Sequence, residues 1–147
     1  MNIAYRKASE LDYATLARLD KAAFCRDFDF ALQNEAEVKK FIGDYDNWIV
    51  TCDETEVGYY SVNIESTTHA EIIGVVVIPE YQKKGIGSTI LKRILDNVEG
   101  ISLIKIVTHP KNIAAIKLYS NFGFEIVEYK ENYYGDGQPR LVLNKKR

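Results

Sequence analysis

Residues 75–88, Val75-Val76-Val77-Ile78-Pro79-Glu80-Tyr81-Gln82-Lys83-Lys84-Gly85-Ile86-Gly87-Ser88, change texture twice. An apolar β-branched run reads as a buried strand, Pro79 stops it, and two lysines and two glycines precede a helical pattern. Upstream, residues 70–78 carry the strand. Downstream, Ile90, Leu91, Ile94, Leu95 and Val98 recur at helical spacing, and Gly100 stands where that helix would end. Residues 101–107 are again strand-like. A strand, a helix and a second strand in this order predict a parallel, right-handed β-α-β unit.

The flanking segments extend the pattern. Residues 2–7 read as a short strand, and Ser9-Glu10-Leu11-Asp12 as a capping box opening a helix to about Phe24. Leu11, Leu16, Leu19 and Ala23 form the apolar side of that helix. Residues 35–42 suggest a second helix, and the runs 47–52, 56–64 and 70–78 suggest an antiparallel meander. Residues 112–122 are helical, with Gly123 as the C′ residue, and two strands follow around Gly135-Asp136-Gly137. The order β-α-α-β-β-β-α-β-α-β-β predicts an α/β fold whose mixed sheet carries helices on both faces.

With 147 residues and no linker or repeat, the whole chain, 1–147, reads as a single domain. The net charge of −2, with both signs dispersed, gives no electrostatic footprint for nucleic acid. Lys145-Lys146-Arg147 reads as a solvated basic tail. Cys25 and Cys52 are too few and too distant for a metal knuckle or a CxxC, so no metal is expected and both are read as reduced thiols. No run approaches the ~18 apolar residues of a membrane span. These features lead us to expect a cytoplasmic protein without a membrane or nucleic-acid partner.

A helix N-terminus presents unpaired N–H groups and the positive end of the helix dipole, which attract anions. Gly85 and Gly87 remove the Cβ atoms that would block that approach. There is no third glycine for GxGxxG and no Gly-Lys-Ser/Thr for a P-loop. A tight turn, a nucleotide-binding loop and another phosphate-bearing ligand all remain open on these residues alone.

Gln82-x-x-Gly85-x-Gly87 after the valine run resembles the acetyl-CoA signature of the GNAT superfamily of N-acetyltransferases, Q/R-x-x-G-x-G/A. Asn112-Ile113-Ala114-Ala115-Ile116-Lys117-Leu118-Tyr119 with Phe122-Gly123-Phe124 resembles that family's N-x-x-A-x-x-L-Y…G-F element. With the element order, the resemblance spans nearly the whole chain and implies the GNAT, or acyl-CoA N-acyltransferase, fold. It also implies acetyl-CoA as the cofactor. Backbone groups of Val75, Val76 and Val77 would hold the acetyl carbonyl and pantetheine, in a gap between the strands 70–78 and 101–107. Gln82 heads the signature, and N–H groups of Lys83, Lys84, Gly85, Ile86, Gly87 and Ser88 would hold the pyrophosphate. Lys83 and Lys84 add charge there or stand as solvated residues. Asn112 would bond the pantetheine arm and Tyr119 would face the sulfur. Seven positions apart on one helix, they share a face at roughly 10 Å separation.

The resemblance implies direct attack of a neutral amine on the thioester, with Tyr119 serving the leaving sulfur. A phenol near pKa ~10 is a weaker acid than a thiol near ~8.5, so a hydrogen bond suits it better than full proton transfer. For the base, the ribosomal-protein alanine acetyltransferases carry a glutamate five residues before the asparagine; here that residue is Val107. The histone-acetylating branch has its base eleven residues before the signature, which is Glu71 here. His109, acting through a water, is the other candidate, although a histidine before Pro110 also suits a structural role.

An α-amine near pKa ~8 costs about 1.4 kcal/mol to deprotonate at pH 7, against about 4.6 kcal/mol for a lysine. A weak base therefore favours peptide N-termini or small amines as acceptors. Acceptor recognition in this family comes from two loops, carrying Phe24, Arg26, Asp27, Phe28 and Phe30, and Tyr133, Tyr134, Gly135 and Asp136. Asn132-Tyr133-Tyr134 resembles the peptide-acetylating branch. A homodimer through exchange or pairing of the last strands is also compatible with the fold. From a different class, the same features fit an acyl-CoA-binding sensor without turnover.

Overall fold

The computed structural model describes residues 1–23 and 34–147. Its strands are β1 (Ile3–Lys7), β2 (Asp46–Cys52), β3 (Thr55–Ile64), β4 (His69–Val77), β5 (Leu103–Thr108), β6 (Glu125–Lys130) and β7 (Arg140–Lys146). Its helices are α1 (Tyr13–Ala23), α2 (Glu35–Asp44), α3 (Ile86–Asn97) and α4 (Ile113–Asn121). Among the described residues these strands form one sheet, ordered β1-β2-β3-β4-β5-β7-β6. Only β4 and β5 pair in parallel, as the helix between them requires.

Each face of the sheet has its own core. Ile90, Leu91, Ile94 and Leu95 of α3 pack with Ile72, Ile104, Ile106 and Leu143, so the helical spacing in the sequence is the buried stripe. On the opposite face Leu16 and Leu19 of α1 and Val38 of α2 cover Ile49, Tyr59 and Val76. The Tyr59 hydroxyl donates to the buried Asp20 and ties α1 to β3. Burial, followed by the Asp20 charge, pushes the Tyr59 hydroxyl well above the ordinary tyrosine range.

Three expectations change. Ser9 N–H donates to Asp12 at 2.8 Å, but residues Glu10–Asp12 form a 3-10 turn before α1. Leu11 lies on that turn, 91% exposed, instead of on the apolar side of the helix. Helix α3 ends at Asn97, with Val98 as its C-cap, before Gly100. The basic end is only partly a solvated tail: Lys146 and Arg147 are exposed, yet the segment is tied into the fold. Lys146 pairs with Leu103 in the sheet, Lys145 Nζ donates to the Phe122 carbonyl at 2.7 Å, and Arg147 donates to the Val98 carbonyl at 3.0 Å. Lys145 and Arg147 thus meet the carbonyl ends of α4 and α3, where the helix dipole is negative. Gly123, at φ 90°, is the C′ residue of α4 as expected.

Candidate active site

The site begins where two parallel strands part. β4 and β5 stay in register only from His69 against Leu103 to Ile72 against Ile106. At that point the β3–β4 register slips: Val62 faces Ile72 and Ser61 faces Gly74, leaving Ile73 as an extra residue. A β-bulge bends and twists its strand, and here it carries β4 away from β5. Val75, Val76 and Val77 remain paired with Tyr60, Tyr59 and Gly58 of β3. Among the described residues their other edge has no strand partner. Gly58 makes this geometry possible, because a Cβ there would meet the Val76 carbonyl oxygen at 2.0 Å.

The opening leads into a cleft of about 370 Å³ lined by Val75, Val77, Tyr81, Gly87, Leu118 and Tyr119, among others. At its far end the chain turns sharply into α3. Gln82 Nε2 donates to the Val77 carbonyl at 2.8 Å, binding the turn to the end of β4. Lys83 takes φ 61° and Gly85, the N-cap of α3, takes φ 82°. Left-handed backbone at both positions leads into α3, whose first N–H groups have no side-chain cap, an arrangement suited to an anion. Lys83, Lys84, Gly85 and Ser88 are exposed. Ile86 is buried in the core at 1% exposure, so only its backbone can serve a ligand.

Asn112 and Tyr119 come together on α4 as their spacing predicts, both on the cleft wall. Asn112 Oδ1 accepts from Ala115 N at 3.3 Å and caps the helix, which leaves its amide nitrogen as the group that can donate into the cleft. Tyr119 is buried, with its ring 6.1 Å from that of Phe124. His109 is built into the fold instead of the cleft. It is 3% exposed, its Nδ1 accepts from Lys111 N at 3.0 Å, and its Nε2 lies 3.0 Å from Gln138 Oε1.

Glu71 lies apart from this cleft, four residues before Val75 on β4 and opposite Asn63 of β3 and Lys105 of β5. Its carboxylate is 3.5 Å from Lys105 Nζ. Burial pushes the Glu71 carboxyl above the ordinary range, with Lys105 opposing. Lys105 is lowered by burial but raised overall by Glu71, Tyr133 and Glu65. The loop between β6 and β7 stands beside this pair. Tyr134 is 52% exposed as a residue, but local burial of its hydroxyl, followed by Tyr133 and Glu71, pushes that group up to about 12 despite Arg140. The loop is braced by Asp136 to Arg140 at 2.8 Å and by Gly137 N–H to Asn132 Oδ1 at 2.7 Å. Phe24, Arg26, Asp27, Phe28 and Phe30, expected on the opposite loop, lie outside the described residues, as does Cys25; Cys52 is buried as a free thiol.

Ala115 and Leu118, the alanine and leucine of the N-x-x-A-x-x-L-Y element, line the cleft between Asn112 and Tyr119. Ile73, Gly58 and Lys105 were not singled out in the sequence and gave no local signal, since their places are set by strand register. Among the described residues no group of three or more His, Cys, Asp or Glu is placed to hold a metal ion. None of the described helices is long and apolar enough to cross a membrane.

The [Ribosomal protein bS18]-alanine N-acetyltransferase of Escherichia coli K12 is 33% identical over 78 residues, 50% of this chain and 53% of that protein. The chain thus spans about half the length of the curated relative it matches. Ard1 from Thermoplasma volcanium superposes with a TM-score of 0.83 at 18% identity, covering 99% of this chain and 98% of that one. The PaiA N-acetyltransferase of Thermoplasma acidophilum, solved in complex with coenzyme A, gives a TM-score of 0.78 at 20% identity with 100% of both chains covered. At these identities the two structures establish the fold. Residues 13–124 match the Acetyltransferase (GNAT) family, so the chain belongs to that family and has its mixed α/β fold.

Proposed function

We propose that the protein is an acetyl-CoA-dependent N-acetyltransferase that transfers acetyl to the primary amine of a peptide N-terminus or small molecule by direct attack. The observation that carries this reading is the separation of β4 from β5 beside Tyr119, with a left-handed turn at the other end of one cleft. Apolar walls with an open strand edge suit an acylated pantetheine arm, and the uncapped N–H groups of α3 suit its diphosphate. No metal is invoked.

In this reading the free amine attacks the thioester carbonyl carbon while a β4 backbone N–H steadies the developing oxyanion. The C–N bond forms, the C–S bond breaks, and the Tyr119 hydroxyl hydrogen-bonds the departing sulfur. Four residues of strand put Glu71 roughly 13 Å from Val75, so the amine proton reaches Glu71 through water. The E. coli relative modifies an alanine of ribosomal protein bS18, which supports a peptide N-terminus as acceptor. Val107, where that branch carries a carboxylate, favours a second reading, an acyl-CoA-binding module without turnover.

The test is incubation of the purified protein with acetyl-CoA and a panel of N-terminal peptides, polyamines, aminoglycosides and amino acids, read by mass spectrometry. An acetylated amine with stoichiometric thiol release supports the enzyme. Binding of acetyl-CoA without transfer to any acceptor class supports the module.

A further inference from the structure

We propose that Lys105 is a positioning residue for Glu71, holding its carboxylate ionised and oriented on the acceptor side of the sheet. The inference rests on the reading of Glu71 as base and assigns a role to a residue outside both family motifs. Strand register creates the pair: Glu71 of β4 stands directly beside Lys105 of β5, and Nζ lies 3.5 Å from Oε1. The Glu71 side chain is 19% exposed and the Lys105 side chain 36%, so neither charge is fully hydrated.

The other neighbours among the described residues leave Lys105 as the cation facing this carboxylate. Asn63 of β3 is opposite Glu71 and neutral, and Asn144 of β7 is opposite Lys105 and neutral. Glu65, from the turn between β3 and β4, adds negative charge near Glu71. Tyr134 interacts with Glu71 and Tyr133 with Lys105, both from the β6–β7 loop. Arg140 is engaged by Asp136 and the Tyr134 ring. Burial and Glu65 both favour the protonated acid, and Lys105 opposes them. Without Lys105, burial and Glu65 would act unopposed and raise the Glu71 carboxyl further.

Carboxyl NMR titration of the full chain, labelled at glutamate Cδ and assigned with Glu71→Gln, reads this directly. We expect the Glu71 midpoint to rise by about one pH unit in Lys105→Met and Lys105→Gln, and to remain at the wild-type position in Lys105→Arg. An unchanged midpoint in folded Lys105→Gln, checked by circular dichroism, overturns the proposal. Thiol release from acetyl-CoA with tri-alanine amide supplies the kinetic arm. The acid limb of kcat/KM should move upward by the same amount in Lys105→Met, with the rate recovered above it. A raised KM at every pH with an unmoved limb assigns Lys105 to acceptor contact and overturns the positioning role alone. A wild-type profile in Glu71→Gln overturns the base reading and the positioning role together.

Discussion

The two ends of the reaction centre are built by different means. On the donor side, between β4, α3 and α4, backbone does the work: a bulge at Ile73, left-handed Lys83 and Gly85, and the uncapped N–H groups of α3. On the proposed acceptor side the candidates are side chains, Glu71, Lys105, Tyr133 and Tyr134, set on neighbouring strands and a braced loop. Backbone recognition depends on glycine placement and so constrains sequence tightly. Side-chain recognition can be rewritten at each position without disturbing the fold. A family motif therefore identifies what donates and leaves open what accepts.

This contrast can be broken at single residues. The largest effect is expected at Gly58→Val, whose side chain would collide with the Val76 carbonyl and force β3 and β4 apart. Urea unfolding should show a loss of about 3 kcal/mol, the upper range for overpacking, accompanied by loss of acetyl-CoA binding. Next is Tyr119→Phe, expected to lower amine-dependent thiol release about 100-fold while acetyl-CoA binds as in the wild type. Equal losses in binding and rate would return Tyr119 to a packing role. Gly85→Val places a β-branched residue at φ 82°, and calorimetry should register roughly tenfold weaker acetyl-CoA binding, matching a strain of about 1–2 kcal/mol.

The acceptor side gives the smallest signal, and its sign is informative. The raised Glu71 pKa means that the folded protein holds this proton more tightly than the unfolded chain. Glu71 thus contributes stability at pH values below the ordinary carboxylate range and loses it as pH rises through the folded pKa. Glu71→Gln lacks that loss. Its melting midpoint relative to the wild type should climb by about 2 °C between pH 4 and pH 8, with acetyl-CoA affinity unchanged. A falling difference would mean that the Lys105 pair outweighs burial.

Much of the donor side was legible in the sequence because it is written in local spacing. Ile90, Leu91, Ile94 and Leu95 are all buried as their period implies, and Asn112 and Tyr119 share the cleft wall. Gly123 caps α4 from the position its type predicts. What escaped was long-range. Nothing local says that β7 enters between β5 and β6, or that Lys105 will stand beside Glu71. The basic end reads as solvated until the carbonyl ends of α3 and α4 are seen within its reach. Leu11 reads as core until the 3-10 turn rotates it outward.

Calorimetric titration of acetyl-CoA into the wild type and into Ala114→Trp tests the central claim most directly. Ala114 is an exposed residue on the cleft wall, where a large side chain can fill the gap without entering the core. The account predicts saturable one-to-one binding to the wild type and none to the folded variant. Equal binding by both proteins would contradict it, placing the acyl donor outside the opening between β4 and β5.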